Sequence, residues 1–275
     1  MKAQLPPRSA IFCLAPILAL MALVFLFPIL LMFETSLYRD GLSFDAYFAL
    51  LTSVLFRRVL LTTLQIAMLS SALAVALAYP VAAHLARQPP QRRALLLTLV
   101  LLPLWTSILV KSYAFTVLLG HGGLLNEMLR AFGLPEVQLL FNRTGVVIGI
   151  IHYLIPFAVF PILTNLLAQD QKLKHAAKVM GSGPFLIFAR ITFPLSLPGV
   201  LASFVMAIVL SFGMLVTPAL LGGRQDIMIA NLIDFYTRES LNWPMASAIA
   251  VVLLIASGLF ITVLSRLQQQ TDASA

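Results

Sequence analysis

Lys111 is the residue whose placement most invites chemistry, because it is the one clear charge inside an apolar stretch of this chain. A cation in such a stretch has two readings. It can snorkel along its own methylenes to the nearer interface, or it can line a polar cavity and pair with an acid from a neighbouring loop. If its helix starts near Ala94, Lys111 lies roughly 25 Å along it at about 1.5 Å per residue, in the outer third of a bilayer. Tyr113 follows two positions on, and Ser203 and Ser211 carry hydroxyls inside a later apolar stretch. These four are the candidates for a translocation path or gate. The remaining reactive types are scattered: His84, His121, His152 and His175, with a single Cys13. None makes the paired spacing of a zinc site, and Cys13 reads as a packed, inert thiol. His152 reads as a hydrogen-bonded packing residue or a member of the path. No G-x-x-x-x-G-K-[ST] occurs, so the chain is not expected to hold ATP through a phosphate-binding loop. No CxxC, HExxH or GxSxG occurs either. No catalytic residue, metal or cofactor of its own is expected.

The elements that must position these residues follow from composition. Of 275 residues 60% are apolar and only 10% charged, with a mean hydropathy of +0.98. That excludes a disordered chain, a disulfide scaffold and an ordinary cytosolic enzyme, and leaves a polytopic membrane protein. Runs of about 20 apolar residues suffice to span. They fall at 10–33, 60–86, 94–119, 144–168, 197–220 and 246–265. The first run is too long for a signal-peptide core and reads as a retained span. Pro16, Pro28, Pro80, Pro103, Pro156, Pro161 and Pro218 lie inside these runs; bundles tolerate them because neighbours satisfy the freed carbonyls. The expected fold is an all-α bundle of six transmembrane helices in a single domain over 1–275.

Charge placement sets the expected orientation. One set of loops and tails holds Lys2, Arg8, Arg87, Arg92, Arg93, Lys172, Lys174, Lys178, Arg190 and Arg266, against only Asp170 and Asp272. The other set holds Arg39, Arg57, Arg58, Arg130, Arg143, Arg224 and Arg238 together with all the remaining acids. The basic set faces the cytoplasm, so both termini are expected there. The net charge of +8 then reflects span flanks and lipid, not nucleic acid. No Asp or Glu falls inside a span, which argues against a secondary transporter that would bury acids for ion coupling.

Within the spans, small residues recur every fourth position. Ser70, Ala74, Ala78 and Ala82 form one such face, and Gly199, Ser203, Ala207 and Ser211 another. Such faces let helix backbones approach closely; they serve packing, sliding during gating, or both.

The loop 169–194 carries the most specific signal. Leu173, Ala176, Ala177 and Met180 recur at i, i+3, i+4 and i+7, one apolar stripe of a short helix over 171–180. Gly181 marks its stop. Pro184 suits the first turn of a second helix capped by Ser182 or Gly183, which Pro194 and Pro198 are expected to end. A helix, a glycine elbow and a second helix with an exposed stripe call for a groove to dock in.

The pattern His175-Ala176-Ala177, Gly181, Pro184, Ile191, Pro194 and Pro198-Gly199 resembles the coupling loop of permease subunits in binding-protein-dependent ABC importers. In that family the loop sits in a groove of the ATPase subunit. The resemblance implies His175, Ala176, Ala177, Gly181 and Pro184 as the coupling residues. It implies ATPase subunits that bind the ATP and magnesium, a second permease subunit, a periplasmic substrate-binding protein and an inner-membrane location. The family usually has Glu where His175 stands; this departure implies an adapted ATPase contact, a pH-sensitive one, or drift. Leu102-Pro103-Leu104-Trp105-Thr106 with Lys111-Ser112-Tyr113, Gly123 and Asn126, Thr217 to Gly223, Asn242-Trp243-Pro244, and Ala78-Tyr79-Pro80-Val81-Ala82 are similar to spermidine/putrescine-type permeases, over roughly residues 55–265. The implied solute is a polyamine. Iron, thiamine, opines and aminophosphonates remain open, since related permeases share much of this sequence. The segments 34–58, 120–143 and 221–245 would meet the binding protein, with Asp226, Asp234 and Glu239 read as solvated loop charges.

Overall fold

The computed structural model describes residues 7–37 and 43–273. Lys2, Arg39 and Asp40, which entered the charge assignment, lie outside the described residues, as do the side chains of Arg8, Cys13 and Asp272. Among the described residues the chain is helical and contains no strand. It divides into two compact units, one of Met1–Val54 with Ile233–Leu254, the other of Leu55–Leu232 with Ile255–Ala275.

In the first unit, α1 (Pro7–Met21) passes through a π-helical turn, Ala22–Leu26, into α2 (Phe27–Leu37). Leu18, Leu23, Phe25 and Phe27 on this rod are all more than half exposed, as expected of a surface solvated by lipid rather than water. Helix α3 (Asp45–Thr52) is tied to α2 by a 2.7 Å hydrogen bond between the Ser36 and Tyr47 hydroxyls.

The second unit holds the main core. It comprises α4 (Val54–Ala86), α5 (Pro90–Leu101), a 3-10 turn Leu102–Trp105, α6 (Ile108–Leu119), α7 (Leu124–Ala131) and α8 (Arg143–Ala168). Then follow α9 (Gln171–Val179), α10 (Pro184–Ile187), a π-helical turn Phe188–Thr192, α11 (Phe193–Phe212) and α12 (Val216–Leu221). Helices α13 (Ile229–Arg238) and α14 (Trp243–Ala273) run through both units. Helix α8 is the pillar: it packs along α11 and touches α6 and α12. One buried cluster gathers Ile66, Ala74, Val146, Ile150, Leu154 and Leu221, and a second gathers Ala78, Ala82, Ala158, Ile162 and Leu166.

Six helical segments of the described residues are long and apolar enough to cross a membrane: Leu14–Leu37, Val54–Ala86, Ile108–Ala131, Arg143–Ala168, Pro184–Phe212 and Trp243–Thr262. Two expectations change. The apolar run 94–119 is not one straight helix but α5 and α6 with a break between them. Pro103 cannot donate to the carbonyl four residues back, so the helix tightens into a 3-10 turn, and Thr106 is then extended at ψ 144°. Conversely, Pro194 and Pro198 do not end the second elbow helix. The helical path continues from Pro184 to Phe212, because the wide π turn precedes Pro194, which then occupies the first turn of α11, where no donor is needed.

Candidate functional site: a broken helix and an exposed elbow

The break in the third apolar run explains Lys111. Ser107 caps α6, accepting from Leu109 N at 3.3 Å, and the Pro103 carbonyl is left without its helical donor. Lys111 Nζ reaches back and donates to that oxygen at 2.8 Å, and Thr106 Oγ1 donates to it at 2.9 Å. The ammonium also lies 5.4 Å from the Tyr153 ring centroid, a cation–π contact. Lys111 therefore follows neither expected course. It turns back into its own helix break, and its recorded partners are a carbonyl and an aromatic face rather than an acid. Around it, Ser112 and Thr217 oxygens are 3.4 Å apart, and His152 meets Phe115 edge-on at 5.3 Å. His152 is thus an aromatic packing residue beside the Lys111 cluster. Tyr113 points away, 60% exposed. Lys111 and Tyr113 are not brought together with Ser203 or Ser211 by any recorded contact.

The elbow is built from local rules. Asp170 caps α9, accepting from Lys172 N at 2.8 Å. At the other end Gly181 adopts φ +82°, the left-handed conformation that glycine takes without a Cβ penalty. Ser182 N donates to Ala177 O and Gly181 N to Lys178 O, each at 3.0 Å, the pairing of a Schellman stop. Gly183, not Ser182, occupies the cap position before Pro184. Of the apolar stripe, Leu173, Ala176 and Met180 are exposed and Ala177 is half-buried; Val179 and Phe185, outside the stripe, are 88% and 79% exposed. His175 is exposed, with Nδ1 2.8 Å from Gln171 O; the ring therefore donates from Nδ1 and presents Nε2 outward. The Lys174 ammonium is held below the ordinary lysine range by burial and then by the like charge of Arg87.

Four contacts tie the elbow and the start of α11 to the bundle. Phe188 in the π turn meets the Tyr79 ring at 6.0 Å, and Phe193 meets it at 5.7 Å. Tyr79 Oη and Ser196 Oγ are 2.9 Å apart. Gln169 Nε2 donates to Thr192 O at 3.1 Å, satisfying a carbonyl of the π turn. Tyr79 entered the sequence reading only as part of a motif; its aromatic partners 109 to 114 positions away were not readable from local pattern.

Beyond the elbow, both small-residue faces are buried. Ser70, Ala74, Ala78 and Ala82 are fully enclosed, as are Ser203 and Ser211. Ser203 Oγ donates to Ala158 O on α8 at 2.8 Å and lies 2.9 Å from Gly199 O; Ser211 Oγ bonds Ala207 O at 2.9 Å. A Cβ on Gly199 would sit 2.6 Å from Asn165 Cβ and 2.8 Å from Pro161 O, so glycine sets the α8–α11 spacing.

At the other end of the unit, Asp226 is not a solvated loop charge. It is 7% exposed, pairs with Arg143 Nε at 3.3 Å and accepts from Gly223 N at 3.2 Å. Arg143 also donates to Gln65 Oε1 at 2.8 Å. Asn126, buried at 1% exposure, bridges the 120–137 loop by bonds to Gly120 O, Val137 O and Val137 N. Its burial could have been suspected from its place in an amphipathic turn, its partners could not. In the first unit, Asn242 caps α14 by accepting from Met245 N at 3.2 Å. Among the described residues no three His, Cys, Asp or Glu side chains converge on a common point.

The membrane-length helical segments define a multi-pass membrane protein. Residues 74–274 match the model of the binding-protein-dependent transport system inner membrane component family, and the chain belongs to that family. It is a permease of an ABC importer. The spermidine/putrescine transport system permease protein PotB of Escherichia coli (strain K12) is 32% identical over 253 residues, 89% of this chain and 92% of that protein. PotB of Haemophilus influenzae is also 32% identical, over 250 residues, 88% of this chain and 87% of that one. In fold, a chain of a bacterial alginate ABC transporter, solved with an alginate pentasaccharide-bound periplasmic protein, superposes with a TM-score of 0.79. It is 19% identical, and the match covers 94% of this chain and 93% of that one.

Proposed function

We propose that this chain is the permease of a polyamine importer, carrying spermidine or putrescine, and that it is itself no enzyme. The observation that carries the substrate is the 32% identity to a spermidine/putrescine permease across 89% of the chain. In this reading a second permease subunit completes the path, both termini are cytoplasmic, and the elbow 171–187 docks in an ATPase groove. The outward-turned Leu173 and Met180 of the stripe, with Val179 and Phe185 beside it, support the docking role, since exposed apolar side chains held on a rigid stop favour a groove over water. Closure of the ATPases would move the elbow, and the Tyr79 contacts would pass that motion to α4 and α11. ATP and the loaded binding protein drive the switch only if each favours the outward-open state. The test is uptake of radiolabelled spermidine into proteoliposomes holding the assembled importer, with ATP inside and binding protein outside. Accumulation dependent on both is expected. Uptake of iron, thiamine or an aminophosphonate in its place would overturn the substrate.

A further inference from the structure

The break between α5 and α6 turns the Pro103 carbonyl toward two side-chain donors, Thr106 and Lys111. Helix α5 has 12 residues, and the break that follows it lies just before the membrane-length segment Ile108–Ala131. Half-helix ends with unwound carbonyls coordinate cations in transporters, and the C-terminal end of a helix is its negative pole. We propose that the Pro103 carbonyl and the face of Tyr153 form a binding site for the primary ammonium of an alkylamine, which Lys111 fills here as a tethered occupant.

The chemistry of the occupant is the argument. Beyond its Cα, lysine is n-butylammonium, with the same reach of methylenes that separates the nitrogens of putrescine. Its Nζ sits 2.8 Å from Pro103 O and 5.4 Å from the Tyr153 ring centroid, which are the contacts any primary ammonium would take. The groups around it include no acid: Ser112 beside it, His152 and Tyr153 from α8, Thr217 from α12. No carboxylate pairs with it among the described residues, so displacing Lys111 breaks no ion pair. Thr106 Oγ1 stays on the same carbonyl at 2.9 Å and keeps it satisfied during exchange. The remaining cavity is about 10 Å³, room for one water at most. Lys111 and a second ammonium therefore exclude each other. Lys111 acts as an intramolecular competitor that keeps the site shut to free amines until a transport step moves α6 away from the break. The link to transport rests on the polyamine reading; the ammonium site itself does not.

The experiment uses the assembled importer in lipid nanodiscs, with wild type, Lys111→Ala, Lys111→Ser and Lys111→Ala/Tyr153→Ala. Thermal unfolding is followed with n-butylammonium or tetramethylammonium chloride at equal ionic strength. The Lys111→Ala and Lys111→Ser complexes should melt about 2–4 °C lower than wild type, and millimolar n-butylammonium should recover at least half of that loss. Tetramethylammonium, which has no N–H donor for the Pro103 carbonyl and keeps only the ring contact, should recover less than a third as much. Removing the Tyr153 ring should raise the concentration for half-recovery about threefold or more, through the lost cation–π contact. Wild type should not respond, its site being filled. No recovery in either single variant, or equal stabilisation of wild type, overturns the site. Spermidine uptake by wild type is measured in parallel: recovery by n-butylammonium without spermidine uptake sinks the substrate reading and leaves the ammonium site standing.

Discussion

The hydroxyl of Tyr79 meets the hydroxyl of Ser196 at 2.9 Å, across 117 residues of chain. The same ring takes Phe188 and Phe193 on its edges, so one side chain of α4 holds both the π turn and the start of α11. Tyr79→Phe removes the hydrogen bond and keeps the ring contacts. Within a helical membrane bundle such a bond contributes about 0.6 kcal/mol, and the melting temperature should barely move. Tyr79→Ala removes the rings' partner as well. It should keep basal ATP hydrolysis by the assembled importer while cutting uptake per ATP severalfold. Equal uptake-to-hydrolysis ratios in wild type and Tyr79→Ala would remove the residue from the coupling route.

Gly181 tests shape against space. A Cβ there would meet nothing within 4 Å, yet the φ of +82° costs an L-residue roughly 1–2 kcal/mol. Gly181→Val should lose co-purified ATPase and uptake, whereas Gly181→Asn, which tolerates the left-handed region, should retain most of both. If valine behaves like asparagine, the elbow does not depend on its Schellman stop.

At Gly199 the test is the converse, because space is what is missing. Gly199→Ala should destabilise by about 1–3 kcal/mol through overpacking. Asn165→Ala should give no relief, since the collisions are with Asn165 Cβ and the Pro161 carbonyl. Thermal melts of the two single variants and the double variant decide it; full rescue by Asn165→Ala would disprove the contact.

The Arg143–Asp226 pair is partly wet on the arginine side, which is 45% exposed against 10% for the aspartate. Its loss should therefore cost less than the 3–5 kcal/mol of a fully buried pair, about 1–2 kcal/mol. Asp226→Asn and Arg143→Gln should each lower the melting temperature, and the double variant should lie well above the sum of the losses. Strict additivity would show that the two do not interact.

Lys174 offers a pH readout outside the membrane. Its folded pKa is lowered by burial and by Arg87, so at mildly alkaline pH more of it is neutral and nucleophilic than in an ordinary lysine. Arg87→Gln removes one cause and moves the pKa back up. Residue-resolved acetylation of Lys174 should then slow, with Lys178 unchanged. Acceleration at Lys174 would contradict the sign.

How far the sequence could be read depended on range. The elbow was legible because its information is local: a four-point stripe, a glycine and a proline within Leu173–Pro184 fix it. The break in the third run was not, since Pro103 looks like other prolines that α4, α8 and α11 absorb. What sets it apart is the backbone after it, a 3-10 turn running into an extended Thr106, and that course leaves no local pattern. Asp226 read as solvated because its partner lies 83 positions earlier. Pro194 read as a terminator because a π turn leaves no compositional mark. The small-residue faces gave the opposite result, since period-four spacing survives burial and both faces lie inside the bundle.

The π turn at Phe188–Thr192 has a mechanical meaning. The extra residue taken up in one wide turn sets everything beyond it back by about 100° around the helix axis, relative to an unbroken α-helix of the same residues. The exposed Phe185 and the buried face of Gly199, Ser203 and Ala207 are thereby set out of phase along a single rod. An unbroken α-helix of the same residues, at about 100° each, would instead put Gly199, Ser203 and Ala207 within about 40° of the azimuth of Phe185.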